Sequence, residues 1–282
     1  MTISTMYSLL QSARSSGYAV GAFNVDNLET IEGVALAAEE ERSPVIFAVG
    51  QGALRYTRLP YLASLISTVA EGLTVPAAIH LDHGSSYGQV LECLLHGFTS
   101  VMIDGSALPI EENIALTKKV VEAAHLLGAT VEAELGRVGG AEDSEESVEG
   151  TLTRVEDAVR FVQETEVDAL AVAIGTVHGL YRWEPKLDFE RLGAIAKAVA
   201  VPLVLHGGSG TPDESIRRAI ELGIAKINVA TEIRLAFLQE LESRISDPAT
   251  NQDLFKVLSP AREAVKSLAQ SKMRLFRSSG RG

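Results

Sequence analysis

Short apolar runs alternate with longer amphipathic stretches along the chain. The runs are YAVGAFNV (18–25), PVIFAV (44–49), VPAAIHLD (75–82), SVMID (100–104), TVEAELG (130–136), ALAVAIG (169–175), VPLVLHG (201–207) and AKINVA (225–230). Helical patterns lie between them. The clearest are NLETIEGVALAAEEER and PIEENIALTKKVVEAAHLLG, the second opening on a proline that a first helical turn accepts. Strand–helix alternation predicts a parallel sheet with crossover helices. Eight units in roughly 250 residues match a closed (β/α)8 barrel. An open doubly wound sheet is the competing architecture, but the first βα junction, AFNVDNLET, lacks the glycine fingerprint of a dinucleotide site.

No linker divides the chain, so residues 1–282 read as a single domain. The stretch GGAEDSEESVEG (139–150) is acidic, polar and flanked by glycine. It follows the fifth strand, which makes it a long loop on the catalytic face, with hinges that predict a mobile lid. After DPATNQ the pattern predicts an extra helix over about 252–270, then a basic tail (272–282) expected to be a frayed, solvated end.

Composition narrows the function classes. The chain has 282 residues, 46% hydrophobic and 22% charged, as in an ordinary soluble globular protein. A net charge of −12 argues against nucleic acid and against a membrane surface. The one cysteine, Cys93, lies in the helix-like stretch GQVLECLLHG and is expected to be a buried, inert thiol. The N-terminal residues do not read as a secretory signal, and no apolar run is long enough to span a membrane, so a cytoplasmic location is expected.

In a parallel barrel, functional side chains gather at the C-terminal ends of the strands. Those ends carry Asn24, Asp82 with His83, Asp104, Glu132 and Glu134, His178, His206 and Asn228. His83, His178 and His206 each stand beside a glycine (Gly84, Gly179, Gly207), and three imidazoles converging there match a catalytic zinc site with an open fourth position. The alternative is three rim histidines with ordinary partners. His80, His96 and His125 fall within a strand or helices and are expected to be structural. HGGSGTPDESIRRAI (206–220) and INVATEIR (227–234) place a glycine-rich turn and a helix start after strands seven and eight, where such barrels bind phosphate. Asp104 and Glu134 are open to three roles: a second metal position, orientation of the histidines, or solvated rim acids. Glu132 shares the inward parity of Glu134 and needs a buried partner, for which Lys226 is the candidate. Lys226 is also the candidate for a Schiff-base lysine.

Together HLDHGSS, SVMIDGS, VEAELGRVGGAED, AVAIGTVHGLY, PKLDFERL, LVLHGGSG and KINVATEIR resemble the class II, metal-dependent ketose-bisphosphate aldolases, in order, over about residues 18–240. The resemblance implies a TIM barrel, a zinc ion, and reversible cleavage of a ketose 1,6-bisphosphate to dihydroxyacetone phosphate and glyceraldehyde 3-phosphate. It implies His83, His178 and His206 as zinc ligands and Asp104 and Glu134 as an alternative metal position. Asp82 would carry the proton at the C4 oxygen and Glu142, in the lid, the proton at C3. Asn24, Gly179, Gly207, Gly208, Ser209, Asn228, Val229, Ala230 and Thr231 would hold substrate, with Arg234 available for the distal phosphate. Carbonyls near Val177, Gly179 and Gly207 would take a monovalent cation, Na⁺ or K⁺. A homodimer or homotetramer is implied, with an accessory subunit for some tagatose-type members. Two positions depart from many fructose-cleaving members: Ala230 replaces an aspartate, and Gly50-Gln51 stands where a serine is common. Ala230, within NVATE, tips the expected substrate toward tagatose 1,6-bisphosphate over its fructose epimer. Remaining alternatives are a metal-dependent sugar-phosphate epimerase or isomerase, and a non-catalytic barrel subunit.

Overall fold

The computed structural model describes residues 3–140, 149–179 and 185–282. Eight strands form the closed barrel: β1 (Val20–Asn24), β2 (Val45–Val49), β3 (Ala77–Gly84), β4 (Ser100–Ile103), β5 (Thr130–Leu135), β7 (Ala169–Val172), β9 (Leu203–Leu205) and β10 (Ile224–Val229). The other two, β6 (Gly139–Gly140) and β8 (Val177–His178), make a separate parallel pair above it. The barrel order is β1-β10-β9-β7-β5-β4-β3-β2, and its recorded pairings are parallel. Each of the eight apolar runs supplies one barrel strand. The open sheet is thereby excluded.

Strand alternation sorts side chains into two layers. Phe23, Phe47, Ile79, Val101, Val131 and Leu170 face outward and pack under the helices. Val20, Ala22, Ile46, Ala48, Ala78, Ala169, Ala171 and Val204 face inward. Five of these eight are alanines, which leaves room on the barrel axis for larger polar groups. The bottom is closed by the helix Met6–Ser16, whose Met6, Leu9, Leu10 and Ala13 join the inner layer. Their spacing of three and four residues is a helical apolar face, a signal present in the sequence but not used to predict this plug.

The C-terminal helix runs Leu254–Leu275, a few residues longer than expected, and packs against Leu28–Glu41 and Thr231–Ser246. The tail beyond it is not frayed. Phe276 is 1% exposed and Ser278 is fully buried. The Ser43 and Ser278 hydroxyls lie 2.7 Å apart, and the Gly280 and Gly282 N–H groups donate to the Glu41 and Arg42 carbonyls at 2.8 and 2.7 Å. The basic residues expected to be solvated instead meet acids: Arg274 pairs with Glu41 and Arg277 with Glu221. Reading only the tail's charge hid its apolar anchor.

Candidate active site

The strand ends deliver the expected residues to one mouth of the barrel. His83 is the penultimate residue of β3, His178 ends β8, and His206 follows β9. Their ring centroids stand 4.6 to 5.8 Å apart. One nitrogen from each, with one oxygen of Glu134, all lie within 4.8 Å of one another. His83 Nε2 and His206 Nδ1 face each other at 2.9 Å. Among the described residues this is the cluster that could hold a metal ion.

Local structure holds each ligand candidate in place. His83 has φ +48°, a left-handed conformation that costs a non-glycine residue energy and persists only when its surroundings enforce it. Its Nδ1 is 2.8 Å from Asp104 Oδ2, and its carbonyl accepts the Gln51 amide at 2.8 Å. Gln51 in turn exchanges amide hydrogen bonds with Gln89. The position that broke the family's serine pattern thus braces a candidate ligand, a role not foreseen from sequence. His178 is carried by the β6–β8 pair, so Gly139 and Gly140, expected within an irregular loop, are strand residues. A Cβ on Gly140 (φ +92°) would lie 2.3 Å from the His178 carbonyl oxygen, and one on Gly207 (φ +69°) 2.4 Å from that of Val177. Only glycine permits both approaches, and the second brings together two residues of the expected monovalent-cation group.

His206 turns its Nε2 to Glu132 Oε1 at 2.8 Å, leaving Nδ1 for the cluster. Glu132 Oε2 accepts from Lys226 Nζ at 2.8 Å, and Lys226 lies 3.3 Å from His80 Nε2. The His80 Nδ1 reaches Ser100 Oγ at 2.8 Å. All five groups are fully buried. This chain of hydrogen bonds fills the space left by the interior alanines. Burial pushes the Glu132 carboxyl up, but the Lys226 ammonium and the His206 hydrogen bond more than reverse this, holding it well below the usual carboxylate range. Burial, then the Lys226 charge, pushes His80 down to about 3, so it accepts from Lys226 as a neutral ring. Lys226 is therefore the partner Glu132 requires, and it sits inside the barrel rather than at the rim.

The acids divide by environment. Burial raises Asp104, but its hydrogen bonds to His83 and Ser106 and the His83 charge together outweigh this and hold it far below its ordinary range. Of its three possible roles, this geometry fits orientation of the histidine. Burial and then the Asp104 charge raise Glu134. Glu134 Oε1 accepts the Val138 N–H at 3.0 Å, while its buried Oε2 has no hydrogen-bond partner. An orphaned carboxylate oxygen facing three imidazoles fits a bound cation, which would supply the missing counter-charge. Three nitrogens and one oxygen suit zinc or another transition metal.

Asp82 is buried between two amides. Asn228 Nδ2 donates to its Oδ1 and Asn24 Nδ2 to its Oδ2, both at 2.9 Å. The Asn24 and Asn228 side-chain oxygens are buried without partners, leaving acceptors at the mouth for a ligand's hydroxyls. Ser209 and Ala230 are buried and Thr231 begins the helix Thr231–Ser246, with the Glu232 N–H donating to Ser209 Oγ at 3.3 Å. Arg234 is held by Asp26 at 2.8 Å on the β1–β10 side. A cavity of about 400 Å³ opens beside the histidines, lined on the β2 to β5 side by residues that include Gln51, Arg55, Ser85, Asp104, Ser106 and Arg137. Sequence reading missed Arg55 and Arg137. Glu142, and most of the expected lid, lie outside the described residues.

A closed parallel barrel with polar side chains and a cluster able to hold a metal at one mouth is the architecture of a barrel enzyme. Comparison with known proteins narrows it. The family model for class II fructose-bisphosphate aldolase matches residues 4–281. The fructose-bisphosphate aldolase of Thermus caldophilus is 46% identical, with 97% of each chain covered. That of Geobacillus stearothermophilus is 44% identical, with 100% of this chain and 99% of the relative covered. The crystal structure of the YdjI aldolase from Escherichia coli K12 superposes with a TM-score of 0.87 at 38% identity, covering 99% of both chains. The chain belongs to the class II fructose-bisphosphate aldolase family, metal-dependent carbon–carbon lyases acting on phosphorylated sugars.

Proposed function

We propose that this protein reversibly cleaves fructose 1,6-bisphosphate to dihydroxyacetone phosphate and glyceraldehyde 3-phosphate. The observation that carries this reading is the histidine–Glu134 cluster with its orphaned oxygen, in a chain whose relatives bear fructose-bisphosphate aldolase names. Those names weigh more than Ala230 and reverse the preference for tagatose drawn from sequence. His83, His178 and His206 would hold zinc, with Glu134 as a further donor and Asp104 orienting His83. Zinc bound there would supply Lewis acidity at the ketone oxygen. Asp82, fixed by Asn24 and Asn228, takes the C4 hydroxyl proton as the C3–C4 bond breaks and C4 becomes the aldehyde. The electron pair left on C3 receives a proton from Glu142. Backbone N–H groups around Gly207–Ser209 and Asn228–Thr231, with Gly179, cradle the ketone-side phosphate. A monovalent cation on the Val177, Gly179 and Gly207 carbonyls would stiffen that cradle.

The test is to incubate the purified protein with fructose and tagatose 1,6-bisphosphates and assay triose phosphates. Triose from fructose bisphosphate, lost with chelator and regained with zinc, is expected. Epimerised hexose without triose would favour an epimerase, and no reaction with either sugar a supporting barrel subunit. Glu142→Ala should lower turnover far more than zinc content.

A second reading, tagatose bisphosphate as the better substrate, rests on Ala230. An aspartate there could hydrogen-bond one configuration at C4, whereas alanine only leaves space and discriminates weakly. Under it, the wild type prefers the tagatose epimer and Ala230→Asp moves kcat/KM toward fructose.

A further inference from the structure

We propose that Gln51 and Gln89 form a two-amide clamp that positions His83 for the metal, which makes both of them positioning residues for the reaction. This rests on the aldolase reading above and deepens it. The first ground is the polarity of the hydrogen bonds. The Ser85 N–H donates to Gln89 Oε1, Gln89 Nε2 to Gln51 Oε1, and Gln51 Nε2 to the His83 carbonyl, each at 2.8 Å. A backbone N–H can only donate and a carbonyl can only accept, so the two ends of this relay fix which way each amide points. A further bond, Gln51 Nε2 to Gln89 Oε1 at 3.0 Å, closes the amides into a reciprocal pair. Both Gln51 amide hydrogens are thereby committed inside the clamp. Gln51 lines the cavity wall, but its donors serve the His83 turn rather than a ligand.

The second ground is the backbone that the amides hold. His83 (φ +48°) is left-handed, a conformation that persists only where its surroundings over-determine it. Gly84 follows it so close to β4 that a Cβ would stand 2.3 Å from the Met102 carbonyl oxygen. The ring is fixed from the β4 side, where Asp104 Oδ2 meets Nδ1 at 2.8 Å. The carbonyl is fixed from the β2 side, where Gln51 opens the helix Gln51–Tyr56. Gln89 comes from the helix Tyr87–Leu95, whose capping residue Ser86 accepts the Gln89 N–H on its Oγ at 3.2 Å. Elements following β2, β3 and β4 thus grip one residue. Losing the carbonyl anchor frees the 83–84 peptide to rotate, and the Nε2 that faces His206 Nδ1 at 2.9 Å moves with it.

The third ground is placement in the sequence. Gly50-Gln51 stands where a serine is common among fructose-cleaving members, and the clamp is built on the side chain that departs from that pattern.

The experiment compares wild type with Gln51→Met, Gln89→Met and the double variant. Each is stripped of metal and titrated with zinc against a chromophoric chelator, and with cobalt to record the visible spectrum. Methionine keeps the length of glutamine and removes its hydrogen bonds. Gln51→Met should bind zinc roughly 10-fold more weakly, as loss of a partner that orients a ligand does, and its cobalt bands should shift. Gln89→Met should lose less, because Gln51 still reaches the His83 carbonyl. The double variant should lose no more than Gln51→Met, since the amides act as one unit. With fructose 1,6-bisphosphate, kcat should fall several-fold in Gln51→Met while KM changes little. Unchanged zinc affinity and cobalt spectrum in Gln51→Met overturn the proposal, and a lower Tm of the metal-free variant beside them would leave the amides a structural role alone. Additive losses in the double variant overturn the paired clamp. If the wild type binds zinc but cleaves no ketose bisphosphate, the aldolase reading falls, and zinc affinity and the cobalt spectrum still decide the clamp. A wild type that binds no zinc overturns both.

Discussion

Lys226 and Glu132 make the sharpest residue-scale case. A fully buried ion pair gains little net stability, because desolvation offsets attraction, but removing one partner strands the other. Lys226→Met should cost about 3–5 kcal/mol in urea unfolding. Adding Glu132→Gln should recover part of that loss, and strictly additive losses would show that the two do not act as a pair. Borohydride with substrate should leave no adduct on Lys226, since its ammonium is enclosed by Glu132 and His80. Cys93 gives a second residue-scale test. Burial pushes its thiol up to about 12, so the native protein should resist alkylation at pH 8 and react only once unfolded. The sign at high pH follows: above about pH 9 the unfolded chain releases this proton and the folded chain does not, so stability declines as pH rises toward 12. Rapid native-state labelling would contradict the burial.

At the scale of elements, the C-terminal segment carries the clearest consequence. Its helix lies in the groove between Leu28–Glu41 and Thr231–Ser246, and a Cβ on Gly33 would lie 2.8 Å from Val265 Cγ1. Phe276 then anchors the tail in the outer core. Phe276→Ala should destabilise by roughly 3–5 kcal/mol, as large-to-small changes in a core do. Deleting residues 276–282 should lower Tm at least as far. A truncation with unchanged Tm would restore the frayed end expected from charge alone. The eight strands were legible because each is an apolar run that ends in polar or glycine residues. The plug at Met6–Ser16 was equally patterned, yet a helix face does not say which surface it will cover.

For the whole molecule, convergence on one mouth is what matters. Four ligand candidates from β3, β5, β8 and the turn after β9 meet only because the barrel closes. A metal bound by the folded state alone must stabilise it, by about 2.7 kcal/mol at a hundredfold excess over Kd. Zinc should therefore raise the Tm of the metal-stripped wild type and do much less for His206→Ala. Equal shifts would place the metal elsewhere.

The amino-acid sequence by itself determined the eight barrel strands, the barrel class, the three histidines and the parity that points Glu132, Glu134 and Lys226 inward. These follow from local periodicity and from residue chemistry, which need no knowledge of neighbours. It also carried the motifs that resemble class II aldolases. Only the tertiary structure decided which partners those residues have. Asp104 takes His83, Glu132 takes His206 and Lys226, and Gln51 takes the His83 carbonyl, across separations of 21 to 94 residues. Arg137 and Arg234 are indistinguishable as cations in a linear string. The barrel sets one on a cavity wall and the other against Asp26, because strand order around the axis, rather than order along the chain, fixes which loops face each other.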